Sequence, residues 1–139
     1  MRVLIDTCVL SEVRKSDGEK KVKEAVRLVP AHHLFISVIS IGEIMKGINL
    51  LRASKRKTEL QRWVQALEVN YAQSILGIDA EIARIWGALS ADLQKRGITL
   101  PTNDGLIAAT AKRHGLVVMT RNVSDFEDSG VEIMNPWDR

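Results

Sequence analysis

Val3-Leu4-Ile5-Asp6-Thr7-Cys8-Val9-Leu10 is the stretch that decides the fold. Val3, Leu4 and Ile5 follow one another without polar alternation, so Arg2 to Asp6 reads as a short strand buried on both faces. Cys8 to Arg14 then switches to helical spacing, with Val9, Leu10 and Val13 on one face. A buried strand that ends in an acid and turns straight into a helix is the signature of an open α/β sheet. Such sheets gather their ligands outside the carboxyl ends of the strands.

The same alternation continues along the chain. Glu19 to Val29 reads as a helix with Val22, Ala25, Val26 and Val29 at helical spacing, and Pro30 stops it. Leu34 to Val38 has the character of a second strand. Ser40 then caps a long helix to about Ala53, with Ile41, Ile44, Met45, Ile48 and Leu51 inward, and Lys57 to Val69 forms another. A short strand is expected around Ser74 to Leu76. Asp79 caps a helix whose stripe is Ile82, Trp86, Leu89 and Leu93 until Arg96-Gly97 ends it. Pro101-Thr102 opens the next, which runs to His114-Gly115; Leu116 to Met119 and Val131 to Met134 read as strands. The expected class is α/β, a parallel sheet with helices on both faces. No repeat, low-complexity tract or Pro/Gly-rich linker divides the chain, so residues 1–139 are expected to form a single domain.

The 139 residues are enough for a sizeable core, and 45% hydrophobic with 27% charged residues is an ordinary globular balance. One cysteine excludes an internal disulfide framework and fits a reducing cytosol. No apolar run approaches the roughly 20 residues of a membrane span. The N-terminal run is too short for a signal-peptide core, so the expected location is cytoplasmic. The net charge of +3 argues only weakly for nucleic acid, but its distribution says more. Arg52, Lys55, Arg56 and Lys57 form one basic group and Lys20, Lys21, Lys23 and Arg27 another; each is also compatible with a solvated helix face.

Asp6, Glu43, Asp104 and Asp125 all fall at turns between expected strands and helices. Each has a structural reading of its own. Asp6 can cap the following helix, although Thr7 can do so too. Ser40-x-x-Glu43 fits a capping box. Asp104 sits in a first helical turn, where the helix dipole favours acids, and Asp125 can cap a short turn before Phe126. Their joint pattern points elsewhere. Two carboxylates about 4 Å apart repel by roughly 4 kcal/mol at an effective dielectric near 20. A hard divalent cation relieves that repulsion, so the gathered acids read as a Mg²⁺ or Mn²⁺ site for phosphate chemistry. Cys8 lacks a basic neighbour in sequence and reads as a small core residue. His32 and His33 have no third ligand at metal spacing, and Trp63 and Trp86 lie on helical core stripes. No GxGxxG, P-loop or GxSxG is present, so nucleotide cofactors and serine hydrolysis have no support.

In this order and spacing the motifs resemble a PIN-domain ribonuclease, in particular a VapC- or FitB-like toxin of a type II toxin–antitoxin system. The resemblance covers nearly the whole chain. It includes Leu4-Ile5-Asp6-Thr7, Ser40-x-x-Glu43 with Gly47 following, and Pro101-x-x-Asp104-x-x-Ile107-Ala108-Ala109. It also includes Thr120-x-Asn122-x-x-Asp125-Phe126 and a closing Asn135-Pro136-Trp137 similar to the FitB-like subgroup. It implies a three-layer α/β/α fold around a mainly parallel five-stranded sheet. It implies catalytic and metal-ligating roles for Asp6 and Asp104, with Glu43 and Asp125 binding directly or through water, and supporting roles for Thr120 and Asn122. The implied activity is Mg²⁺- or Mn²⁺-dependent endoribonuclease cleavage by a metal-activated water, leaving 5′-phosphate and 3′-hydroxyl ends. Arg14, Lys15, Lys46 and Arg121 are candidates for guiding the RNA backbone. Cys8 departs from the asparagine that relatives often carry, which removes polar help at that position.

The implied partner is a cognate antitoxin, with the helices between Ser40 and Val69 as the surface to test first. A homodimer and a higher toxin–antitoxin assembly are also implied, with operator DNA bound through the antitoxin and no membrane association. The rival reading is a non-catalytic interaction subunit, whose acids are only helix caps, binding nucleic acid together with an antitoxin-like partner.

Overall fold

The computed structural model of the chain describes residues 1–138. Strands and helices follow in the order β1 (Val3–Ile5), α1 (Thr7–Arg14), α2 (Lys20–Arg27), β2 (Leu34–Ser37), α3 (Val38–Asn49), α4 (Lys55–Asn70) and β3 (Ile75–Leu76). The second half adds α5 (Ala80–Lys95), α6 (Thr102–His114), β4 (Val117–Met119), α7 (Val123–Phe126) and β5 (Ile133–Met134). Pairs of helices therefore separate the first four strands, which gives each crossover the length a parallel connection needs.

All five strands are parallel, in the order β3-β2-β1-β4-β5. The first strand lies in the middle: Val3 stands opposite both Leu34 of β2 and Val117 of β4. The order reverses between β1 and β4, the switch point at which open α/β sheets form a crevice. The sheet is covered on both faces. Val3, Ile5, Leu34, Ile36 and Met119 pack under α1 to α4, while Leu4 and Val118 pack with α5, α6 and Phe126 of α7. Neighbouring residues of β1 thus enter opposite cores, as the pleat requires. The expected three-layer architecture with a five-stranded sheet is what the chain forms.

The expected start of the third helix is corrected. Ser37, not Ser40, is its cap: the Ser37 hydroxyl accepts from Ile39 N at 3.0 Å. Ser40 lies inside the first turn, fully buried, and its hydroxyl finds no partner. Two serines one turn apart both fit a cap, and the strand, which ends at Ser37, selects the earlier one. The Asp79 cap forms as expected, accepting from Ile82 N at 2.8 Å. Gly115 ends α6 with φ of 64°, the left-handed conformation a glycine adopts without penalty. Among the described residues no helix is long and apolar enough to cross a membrane.

Candidate active site

β1 delivers Asp6 to the switch point. Its backbone N–H continues the ladder onto Met119 O at 3.0 Å, and its carbonyl accepts from Val9 N and Leu10 N as the start of α1. The side chain is 3% exposed, with each carboxylate oxygen engaged. Oδ1 accepts from Thr7 N at 2.8 Å, and Oδ2 accepts from Thr120 Oγ1 at 2.8 Å. Burial raises the Asp6 carboxyl above its ordinary range, the Thr120 and Thr7 donors oppose that rise, and the Glu43 charge adds to it. The expected capping role and a place in the acidic pocket therefore coexist in one residue.

Thr120 stands at the same level, directly after β4, its N–H bonded to Met134 O at 3.0 Å. While its hydroxyl donates to Asp6, it accepts from Asn122 N at 3.0 Å. Asn122 thus supports the pocket through its backbone. Cys8 is half-buried, with Sγ 3.8 Å from Asp6 Oδ2 and 3.7 Å from Thr120 Oγ1. It borders the pocket as well as the core.

Glu43, one turn and a half into α3, makes no capping box. Its two oxygens are held from either side: Thr7 Oγ1 donates to Oε1 at 2.7 Å and Asn103 Nδ2 to Oε2 at 2.9 Å. Sequence reasoning missed both donors, although each sits next to a singled-out acid. That adjacency was the available signal.

Asp104 projects from the first turn of α6, half-buried and without a hydrogen bond to its carboxylate among the described residues. Its carboxyl is pushed up to about 6, first by burial and then by the charges of Asp6, Asp125 and Glu43. The other three singled-out acids therefore all bear on Asp104. Asp125 reaches the group from α7, which is anchored by the fully buried Phe126, and is itself exposed. Ion pairs among the described residues, such as Arg113–Glu81 and Arg96–Asp92, lie elsewhere, and none compensates these four acids.

Hard oxygen donors that repel one another, with no ion-pair partner among the described residues, are of the kind that suits Mg²⁺ or Mn²⁺. The acids do not form a finished cage: among the described residues no three His, Cys, Asp or Glu side chains are grouped at ligand spacing. Asp6 and Glu43 already use their oxygens as acceptors, whereas among the described residues the carboxylates of Asp104 and Asp125 accept no hydrogen bond.

The PIN domain family matches residues 3–128. A VapC ribonuclease of Sinorhizobium fredii is 32% identical across 98% of this chain and 98% of its own length. The toxin FitB of Neisseria gonorrhoeae is also 32% identical, over 97% and 98% respectively. Among solved structures, the FitAcB crystal structure from Neisseria gonorrhoeae superposes with a TM-score of 0.91 at 31% identity, covering 99% of each chain. A FitAB structure bound to a DNA fragment gives 0.90 at 30% identity, over 97% of this chain and 95% of that one.

Proposed function

The chain belongs to the PIN-domain family, and from that membership we propose that it is a ribonuclease toxin of the VapC/FitB kind, acting against an antitoxin partner. The observation that carries this reading is the convergence of Asp6, Glu43 and Asp125 on the half-buried Asp104 at the sheet's switch point. Acids that form no ion pair among the described residues have little structural use there, and suit a cation brought in with a phosphodiester substrate.

In this reading Asp6 and Asp104 hold Mg²⁺ or Mn²⁺, with Glu43 and Asp125 ligating directly or through water. When bound, the cation supplies positive charge against the scissile phosphate and acidifies water at the site. The chain's own residues do the positioning. Thr120 and Thr7 fix both oxygens of Asp6, Thr7 and Asn103 fix both oxygens of Glu43, and Asp104 would offer the ion a carboxylate that accepts no hydrogen bond among the described residues. Water, not the RNA 2′-hydroxyl, is the nucleophile, so the products carry 5′-phosphate and 3′-hydroxyl ends. Arg14 and Lys15 border a groove that reaches Glu43 and suit the RNA backbone.

The same groove supports the antitoxin partnership. Ile44, Ile48, Leu60 and Trp63 line it, with Arg56 at its margin, between α1, α3 and α4. An amphipathic partner segment laid there reaches the acidic pocket. A homodimer, with DNA engaged through the antitoxin, belongs to the same reading, since the FitAB relative was solved as a complex on DNA.

The test is cleavage of a labelled RNA by antitoxin-free protein with Mg²⁺, with Mn²⁺ and with EDTA, alongside Asp6→Asn and Asp104→Asn. Metal-dependent cutting that collapses in both folded variants is the expected result. Cutting that survives both substitutions, or products with 2′,3′-cyclic phosphates, would exclude this site and this chemistry respectively.

A further inference from the structure

α5, the loop of residues 98–100 and the first turn of α6 border a cavity of about 360 Å³. Trp86, Ser90, Leu93, Gln94, Thr99 and Thr102 line it. We propose that this cavity is a nucleobase subsite, which receives one unpaired base of the RNA strand against Trp86. The proposal rests on the ribonuclease reading above and adds to it where sequence selectivity resides.

The lining argues for a base and against a phosphate. It contains no charged side chain, whereas the groove beside Glu43 carries Arg14, Lys15 and Arg56. What it offers is an indole, a buried leucine floor, and neutral donors and acceptors in hydroxyl and amide groups. Trp86, Ser90 and Gln94 follow one another at four-residue spacing, so they form one row on α5. An aromatic platform followed by hydrogen-bonding groups is how proteins read splayed-out RNA bases. A volume near 360 Å³ falls at the small end of ligand pockets, enough for a nucleoside.

Its position is also specific. A Cβ on Gly105 would lie 2.9 Å from both Trp86 Cδ1 and Nε1, so the indole rests on bare backbone of the α6 first turn. Asp104 is the residue just before. Successive helical residues point about 100° apart, so Asp104 and Gly105 present different sides of the turn. The cavity therefore lies on a neighbouring side of the turn that carries Asp104, and none of the four acids lines it. A base bound here flanks the scissile phosphate and leaves the acids free for the chemistry. Trp86, expected as core, is only half-buried.

The test uses Trp86 as its own reporter. Trp63→Phe and Trp137→Phe leave it the single tryptophan, and Asp6→Asn keeps strands intact when Mg²⁺ is present. Short single-stranded oligomers of A, C, G or U are titrated. Quenching of Trp86 with one base favoured about tenfold, weakened about tenfold by Gln94→Ala or Thr99→Ala, is the expected result. In the cutting-competent protein, Gln94→Ala should flatten the base preference at one position beside the cut, read as the ratio of cutting among substrates that differ only at that base. A protein that cuts RNA with unchanged preference in Gln94→Ala and shows no Trp86 quenching overturns the subsite and leaves the nuclease standing. Quenching without any cutting does the reverse. A change of oligomeric state in Gln94→Ala without quenching assigns this face to a second copy of the chain, and also overturns the subsite.

Discussion

Thr120 Oγ1 donates to Asp6 Oδ2 at 2.8 Å, joining the ends of β4 and β1 across the point where the sheet's strand order reverses. Thr120 is fully buried and accepts from Asn122 N at the same time, so one hydroxyl orders both the acid and the turn that leads to Asp125.

Thr120→Val keeps the shape and removes both hydrogen bonds of the hydroxyl. Asp6 loses the donor that holds its carboxyl down, and the Asn122 amide loses its acceptor. The expected cost is about 1–3 kcal/mol in urea unfolding, with RNA cutting reduced by tenfold or more. Thr120→Ser should retain most of both.

Asn103→Ala separates positioning from folding. Asn103 is exposed, so stability should change by no more than about 0.5 kcal/mol. Glu43 Oε2 loses its donor, and cutting should fall several-fold with a higher Mg²⁺ requirement. Unchanged metal titration and rate would remove Asn103 from the site.

Stability without metal should depend on pH in a defined direction. The folded Asp104 carboxyl sits near 6, above the ordinary 3.8, so the folded state binds more protons than the unfolded one between those values. Raising pH through 4 to 6 therefore destabilises the folded protein, and the penalty persists above 6. Melting in EDTA should show a higher Tm at pH 5 than at pH 7.5. Asp104→Asn should be more stable than the parent at pH 7.5 and show a shallower slope. Some slope remains, because Asp6 is raised in the same sense. Mg²⁺ at pH 7.5 should recover Tm in the parent more than in the variant.

Gly105→Ala tests the contact beneath the second cavity. The added methyl meets the Trp86 indole at 2.9 Å in a buried place, so it should destabilise by about 1–3 kcal/mol despite alanine's better helix propensity. Adding Trp86→Leu should recover part of that loss in a double-mutant cycle. Additive losses would show that the indole is free to move aside.

The strands were legible because Val3-Leu4-Ile5 and Leu116 to Met119 are unbroken apolar runs that fit only a doubly covered sheet. Asp6 was legible as a site residue because it ends such a run. Glu43 was legible as an acid of interest, but its surroundings were not. The apparent Ser40 capping box competes with a cap three residues earlier, and local spacing cannot choose between them. Its true partners, Thr7 and Asn103, lie 36 and 60 residues away in sequence, so only the completed fold brings them together. Helix α7 escaped notice as a helix because Val123–Phe126 is too short to show a period. Trp86 kept the spacing of a core residue, yet its neighbour Gly105 and the loop at Thr99 leave one side of it open.

The central place of β1 governs when the protein can become active. Asp6 and the hydroxyl that fixes it are 114 residues apart, and β1 has β4 as a direct neighbour. A nascent chain that has not yet presented Thr120 carries an Asp6 with no partner strand on that side and no Asp125. Fragments that end before Thr120 are therefore expected to lack RNA cutting. On the proposed reading, RNA cutting is thus coupled to completion of nearly the whole chain.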